Sequence, residues 1–544
     1  MTADLPARES APWWQNEVIY QIYPRSFQDA DGDGVGDLAG ATARLDYLAA
    51  LGVGAVWVSP FYPSPMADFG YDISDHKGVD PLFGTLDGFD AFVARARALG
   101  LKILLDYVPN HTSDQHPWFV EARASRSSPR RDFYVWADPK PDGSPPNNWL
   151  SVFGGPAWEW DAATGQYYLH TFLKEQPDLN WRDPRVKEAM FDVLRFWLDR
   201  GVDGFRLDAV LFAMKDPLWR DNPPNPSPAG GLHKPLGRYD TQLHVYDRGH
   251  PDLHALFREM RAFVDGHDRG RHRVLVGEMH VYDWKAWASY YGEGLDELHL
   301  PFNFGLLKTP WRAEAVRELV EGVEGALPPG AFPNYVLGNH DEPRIATRVG
   351  AARARVAMML LLTLRGTPTL YYGDELGLAD VPIPPGRERD PWGLREPGLG
   401  LGRDPARTPM RWDGSPNAGF CPAGAEPWLP VGDDFREVNV EAQERDPRSM
   451  LALTRALLRL RRASGALRAG AYRGVEGAPD GCFVYERRLG AERYLVALNF
   501  SSEARELAVP GGARLVFSTG LDREGDAPAA FALRGDEGCV FRLG

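Results

Sequence analysis

Gly204-Phe205-Arg206-Leu207-Asp208-Ala209-Val210 reads as a buried strand, an apolar run interrupted by an arginine and a carboxylate two residues apart. Alternate residues of a strand point to the same side, so Arg206 and Asp208 are expected to face one space. Burying a lone carboxylate is costly, and a guanidinium beside it is expected to keep Asp208 ionised and to lower its pKa. An ionised, oriented carboxylate at the end of a barrel strand is what nucleophilic catalysis needs. A plain ion pair closing the strand explains the same two residues, so the neighbouring segments decide.

Outward from this stretch, strands and helices alternate. Residues 17–23, 55–59 and 102–108 read as strands, with amphipathic helices at 38–51 and 86–99 between them. Downstream, helices at 184–200, 252–266, 312–327 and 351–364 alternate with strands at 273–280, 297–304, 334–341 and 369–372. With the 204–210 strand this makes eight, the number of a closed (β/α)8 TIM barrel in the α/β class. The alternation breaks at 110–183, which is rich in Pro, Trp, Ser and Asn and carries a short aromatic strand at 166–172. A structureless connection of that length is unlike a compact fold, so an inserted domain is expected after the third strand. Residues 380–444 form a long Pro/Gly-rich loop and 450–462 a last helix. Strand patterns at 482–487, 494–499 and 513–518 then indicate a C-terminal antiparallel β domain. The expected division is 1–109 for the first part of the barrel, 110–183 for the insertion, 184–468 for the rest of the barrel and 469–544 for a β-sandwich.

The net charge of −14 over 544 residues supplies no basic field for nucleic acid or an anionic membrane. Residues 1–12 are polar, with no apolar leader core, and no later run approaches a membrane span, so a cytoplasmic location is expected. Cys421, Cys482 and Cys539 are too scattered for a disulfide framework and read as buried thiols.

Two clusters carry chemistry. Asp29, Asp31, Asp33 and Asp37 recur around a glycine-rich turn, a pattern that offers several oxygen ligands to a hard cation. A solvated acidic turn is the plainer alternative. Asp208, Glu278 and Asp341 fall near the ends of three different expected strands, where polar residues of such barrels converge on one face. His111 and His340 accompany them. A hydrolase needs one ionised carboxylate and a second carboxyl that keeps its proton. A catalytic metal is the weaker reading, because Arg206 competes for Asp208 and no histidine pair has helical metal-site spacing.

The motifs Asp106-Tyr107-Val108-Pro109-Asn110-His111, Gly204-Phe205-Arg206-Leu207-Asp208, Gly277-Glu278 and Gly338-Asn339-His340-Asp341 resemble the four conserved regions of the α-amylase superfamily, glycoside hydrolase family 13. The opening Trp14 and Val18-Ile19-Tyr20-Gln21-Ile22-Tyr23-Pro24-Arg25-Ser26-Phe27, the Asp29–Asp37 loop and Arg407-Thr408-Pro409-Met410-Arg411-Trp412 resemble its oligo-1,6-glucosidase and exo-α-1,4-glucosidase branch. The resemblance implies Asp208 as nucleophile, Glu278 as general acid/base and Asp341 as the carboxylate gripping sugar hydroxyls. It implies that Arg206, His111 and His340 contact the terminal sugar and Asp208, that Asp68 and Arg407 pair at the closed end, and that Tyr71 stacks on the glucose. It further implies a structural Ca²⁺ or Mg²⁺ on Asp29, Asp31, Asp33, the Val35 carbonyl and Asp37, with no organic cofactor, and that the insertion is domain B. Arg411 departs from the branch, which usually has Gln there.

The function implied is a retaining, exo-acting α-glucosidase on small oligosaccharides, monomeric or homodimeric. Ala209, directly after the nucleophile, goes with α-1,4 preference in the branch, where a Val goes with α-1,6. A sister glucosyl transferase or isomerase, of the trehalose synthase or sucrose isomerase type, keeps the same carboxylates. A non-catalytic transporter subunit of the family is disfavoured, since every catalytic carboxylate is present.

Overall fold

The computed structural model describes residues 11–227, 236–268 and 270–544. Residues 1–10, most of the stretch read as a polar start, lie outside the described residues.

The eight expected barrel strands all form: Ile19–Ile22, Ala55–Val58, Lys102–Tyr107, Gly204–Leu207, Val274–Gly277, Leu300–Asn303, Asn334–Tyr335 and Thr369–Tyr371. They pair in parallel in chain order, and the first strand closes on the last through Ile19 opposite Thr369. A single bridge from Val336 to Thr369 joins the seventh strand to the eighth. Alternation sorts the side chains. Ile19, Trp57, Leu104, Val274, Val276, Leu300 and Phe302 form one apolar cluster, while Tyr20, Val56, Ile103, Phe205 and Leu275 belong to a larger one shared with helix residues. Both faces are therefore dry, as a parallel sheet under helices requires.

The helices follow their sequence signals. In Pro184–Asp199, Asp183 accepts from the Arg185 N–H, Pro184 begins the first turn, and Val186, Met190, Val193, Leu194 and Trp197 are buried at helical spacing. The single helix expected over 38–51 is instead two, Leu38–Ala43 and Leu45–Leu51. The break falls at Arg44 (φ −98°, ψ 1°), whose guanidinium reaches Gln28 Oε1 (2.7 Å) and lies over the Trp412 ring.

Between the third and fourth barrel strands, Trp136–Ala137, Gln166–Leu169 and Trp158–Asp161 form a small antiparallel sheet. Beyond the helix Met450–Ala463, a six-stranded sheet and a two-stranded one, all antiparallel, make up the C-terminal part. The three cysteines are free and buried. No helix among the described residues is long and apolar enough to cross a membrane.

Candidate active site

The fourth barrel strand stops at Leu207, short of the expected 210, because Ala209 adopts a left-handed conformation (φ 44°, ψ 30°). That turn puts Asp208 at the strand end and aims the Ala209 N–H at Glu278 Oε2, 2.7 Å away. Glu278 itself directly follows the fifth strand, Val274–Gly277. Arg206 lies beneath both: its Nη1 donates to Asp208 Oδ1 (2.7 Å) and Asp106 Oδ1 (2.6 Å), and its Nη2 is 3.0 Å from Glu278 Oε2.

These groups open on a cavity of about 440 Å³ lined by Asp68, Tyr71, His111, Asp208, Ala209, Glu278, His340 and Asp341 among others. Of the residues expected to bind substrate, Arg206 and Arg407 do not line it; both are fully buried behind the carboxylates. The expected contact of Arg206 with Asp208 is present, and its guanidinium also serves Asp106 and Glu278.

The closed end also differs from expectation. Asp68 pairs with Arg403 (2.7 Å), not with Arg407. Arg403 and Arg407 flank a 3-10 turn, Asp404–Ala406, which points both guanidiniums the same way. Arg403 reaches Asp68, Asp341 (3.1 Å) and Asp390 (2.6 Å), whereas Arg407 stops at Asp341 Oδ1 (2.9 Å) and the His340 carbonyl (2.7 Å). Gln176, from the insertion, is a further residue that sequence patterning did not single out. Its Nε2 donates to Asp68 Oδ2 (3.2 Å) and faces His111 Nε2 (3.1 Å).

Tyr71 lies parallel to the His340 ring, and its hydroxyl contacts His340 Nε2 (2.6 Å) and Asp106 Oδ2 (3.2 Å). Asp72 caps the loop, accepting from the Ala67 and Asp68 N–H groups and the Ser64 hydroxyl.

Charge is distributed unevenly. Asp341 is buried, but His340, Arg403 and Arg407 outweigh that burial and hold its carboxyl well below the usual range. Burial pushes His340 down to about 3 and His111 to about 4, so both are neutral imidazoles at pH 7. Asp208 was expected to be lowered by Arg206 and is instead raised: burial leads, and Glu278, Asp106 and Asp341 add to it. Glu278, expected to keep its proton, is held at about 2 against its burial by Arg206 and by the His280 hydrogen bond. The physical reason is sharing. One guanidinium serves three carboxyls, so it cannot offset burial at all of them, and the balance falls against the charged form of Asp208.

In the acidic loop, carboxylate oxygens of Asp29, Asp31 and Asp37 lie within 4.8 Å of one another. Asp33 stands outside that trio, its carboxylate accepting the Val35 N–H at 2.8 Å. Backbone donors prearrange the loop: Gly32 and Gly34 donate to Asp29, and Ala30 and Gly40 to Asp37.

A parallel eight-stranded barrel with three carboxyls and two histidines around one pocket at its strand ends has the layout of enzymes that cleave glycosidic bonds. The model of the α-amylase catalytic domain matches residues 21–470. The chain belongs to the α-amylase family of glycoside hydrolases. It is similar to a probable α-glucosidase of Rhizobium meliloti (strain 1021), 44% identical over 517 residues that span 92% of this chain and 91% of that protein. Among solved structures it is similar to the α-glucosyl transfer enzyme XgtA, with 41% identity, a TM-score of 0.91, and coverage of 98% of this chain and 100% of the other. It is also similar to the trehalulose synthase of Pseudomonas mesoacidophila MX-45, with 34% identity, a TM-score of 0.88, and the same 98% and 100% coverage.

Proposed function

We propose that the protein is a retaining, exo-acting α-glucosidase that releases terminal α-glucose from short oligosaccharides, with α-1,4 linkages preferred. The observation that carries this reading is one cavity lined by Asp208 and Glu278 together with the buried Asp68–Arg403 pair. We read that pair as the inner end of the cavity, which suits one terminal sugar, not a continuous chain. Arg206 holds Asp208 Oδ1, which leaves Oδ2 as the attacking atom. In this reading Glu278 is the proton donor once substrate is bound, since the glycosidic oxygen gives its proton an acceptor, and positive charge developing at the sugar carbon favours an ionised Asp208. Glu278 then deprotonates the water that releases glucose from the Asp208 ester. Asp341, held ionised by Arg403 and Arg407, lines the cavity where sugar hydroxyls would lie.

The linkage preference rests on Ala209, which lines the cavity beside the nucleophile. A β-branched side chain there narrows the wall on the leaving-group side. One or two methyl groups at such a wall shift discrimination by about 1–3 kcal/mol. Maltose is expected to be cleaved faster than isomaltose, and Ala209→Val to move the kcat/KM ratio toward isomaltose. Because Ala209 has φ 44°, valine also meets backbone strain, so the ratio rather than the absolute rate is the measure. A wild type that prefers isomaltose, or an unchanged ratio in the variant, removes this assignment.

A second reading, glucosyl transfer or isomerisation, is supported by the similarity to XgtA and to the trehalulose synthase. Product analysis on maltose, isomaltose, sucrose and trehalose separates the two. Glucose release dominates for a hydrolase, whereas new disaccharides dominate for a transferase or isomerase.

We also propose that Asp29, Asp31 and Asp37 hold a structural Ca²⁺ or Mg²⁺, with Asp33 and the Val35 carbonyl completing the ligand set. The convergent carboxylates in a prearranged loop suit a hard cation. Binding only the folded state raises stability by linkage. A chelator is expected to lower Tm while activity persists below that temperature. Inactivation of chelated protein that is still folded would instead point to a metal in the chemistry.

A further inference from the structure

The N-terminal ends of the barrel strands, the face opposite the catalytic pocket, carry a second and smaller cavity of about 60 Å³. It lies where the helix Leu86–Ala98 ends and the strands Lys102–Tyr107 and Gly204–Leu207 begin. Arg97, Lys102, Gly201, Asp203 and Arg271 are among the residues that line it. Gly201 (φ 96°) makes the turn that leaves this room, and a Cβ there would stand 2.4 Å from Arg97 Nη2. The Arg97 guanidinium therefore lies directly over the turn. A single water needs about 10–15 Å³ of such space, so the cavity has room for a small ion.

Its charges are out of balance. Asp203 is the one carboxylate among the described residues that line it, and it is already engaged. Its Oδ2 accepts the Ile103 N–H (3.1 Å) and its Oδ1 accepts from Arg271 Nη2 (2.9 Å), with Lys102 Nζ 3.6 Å away. The Arg97 guanidinium has no hydrogen bond or ion pair among the described residues. Arg273 adds a fourth cation. It stands one residue before the paired Gly204 and Val274, beside Asp203 on the adjoining strand. Only 2% exposed, it buries Nε and Nη1 with no partner among the described residues. The other arginines that bury an unpartnered nitrogen each donate to a protein acceptor through another one, and Arg273 does not. Burial, and then Arg271, push its pKa below the ordinary value. The dipole of the helix Leu86–Ala98 accounts for Arg97 in its last turn, but not for the other three cations. Asp268 faces Arg273 as a second carboxylate, but it is exposed to solvent. This surplus sits in a chain whose net charge is −14.

We propose that this corner binds an inorganic oxyanion, phosphate or sulfate, among Arg97, Lys102 and Arg271, with Arg273 adding its charge from the adjoining strand. A tetrahedral oxyanion presents acceptors on every side, so it can take N–H donors from several guanidiniums at once. A dianion also offsets two of the surplus cations. Arg97 ends a helix, Lys102 opens the third barrel strand, and Arg271 and Arg273 precede the fifth. The anion therefore ties separate parts of the barrel floor together, at the far end of the strand that leads to Asp208. Its role is in the stability of the fold, and it stands apart from the glucosidase reading.

The test titrates the intact protein with sodium phosphate in chloride buffer, at constant ionic strength and near neutral pH, by calorimetry and by melting temperature. A saturable site is expected, with Tm rising as it fills and the rate on maltose unchanged. Arg97→Gln, at an exposed position outside the catalytic pocket, is expected to weaken binding about tenfold or more, the scale of one charge-assisted hydrogen bond. Arg273→Met is expected to weaken it as well, and Arg97→Gln carries the decision if that variant does not fold. Phosphate also stabilises proteins generally by exclusion from their surface, so the difference between wild type and variant is the readout. No saturable binding, or wild-type affinity in Arg97→Gln, overturns the proposal. So does phosphate that competes with maltose and still binds the variant, since it then occupies the catalytic pocket.

Discussion

Asp208→Asn is expected to remove turnover on maltose by roughly 10⁴-fold or more, the order of loss that follows when an enzyme is deprived of its covalent nucleophile. The amide keeps the shape of the side chain and can still accept from Arg206, but it cannot form the ester. The variant is also expected to be at least as thermostable as the wild type near pH 7. Asp208 has a folded-state pKa raised above its unfolded value, chiefly by burial and then by Glu278, Asp106 and Asp341. Such a group contributes stability at low pH and loses it as pH rises through the folded pKa, so at neutral pH its ionisation opposes folding. Asparagine removes that opposition, while Arg206 keeps Asp106 and Glu278 as partners. Kinetics on maltose with a parallel melting curve checks both halves. A variant retaining a tenth of wild-type activity would exclude Asp208 as nucleophile, and a large fall in Tm would mean that the ion pair is needed for the fold.

How much of this site is legible in the sequence depends on whether a residue sits on a periodic element. Asp208 and Glu278 are legible because each ends an apolar strand whose alternation fixes its direction, and eight such strands define the barrel. Arg403 is not. It lies in the 380–444 loop, which has no period, and Arg403 and Arg407 are equally eligible partners for Asp68 until the turn between them is known. The split at Arg44 is hidden for a related reason: the residues its side chain meets there, Gln28 and Trp412, lie outside the helix, and Trp412 is remote in sequence.

Electrostatics is hidden most deeply. A strand pattern shows that Arg206 accompanies Asp208. It does not show that Asp106 from the third strand and Glu278 from beyond the fifth claim the same guanidinium. The expected lowering of Asp208 assumed one cation for one anion. The fold supplies one cation for three, and the direction of the shift reverses.

Glu278→Gln follows from that sharing and should separate the two carboxyls by role. A glutamine oxygen can accept from Ala209 N–H and Arg206 where Glu278 Oε2 does now, so the turn after the fourth strand is retained. What is lost is proton transfer to the departing oxygen, a contribution of roughly 10²–10⁴-fold. On maltose, whose leaving alcohol is a poor one, the loss is expected in full. On an aryl α-glucoside with an acidic phenol as leaving group, the first step needs little protonation and is expected to be far less affected. The pH dependence should change with it. Glu278 is the neighbouring carboxylate that contributes most to raising Asp208 after burial itself, so its replacement by a neutral amide lowers the Asp208 pKa. Asp208 then stays ionised to lower pH, and the acid limb of the first step on the aryl substrate is expected to move toward lower pH. Pre-steady-state release of the phenol, measured across pH in wild type and variant, reads both effects. Equal loss on the two substrates would show that Glu278 is not the proton donor. An acid limb that stays in place or moves upward would show that the charge of Glu278 does not raise the Asp208 pKa.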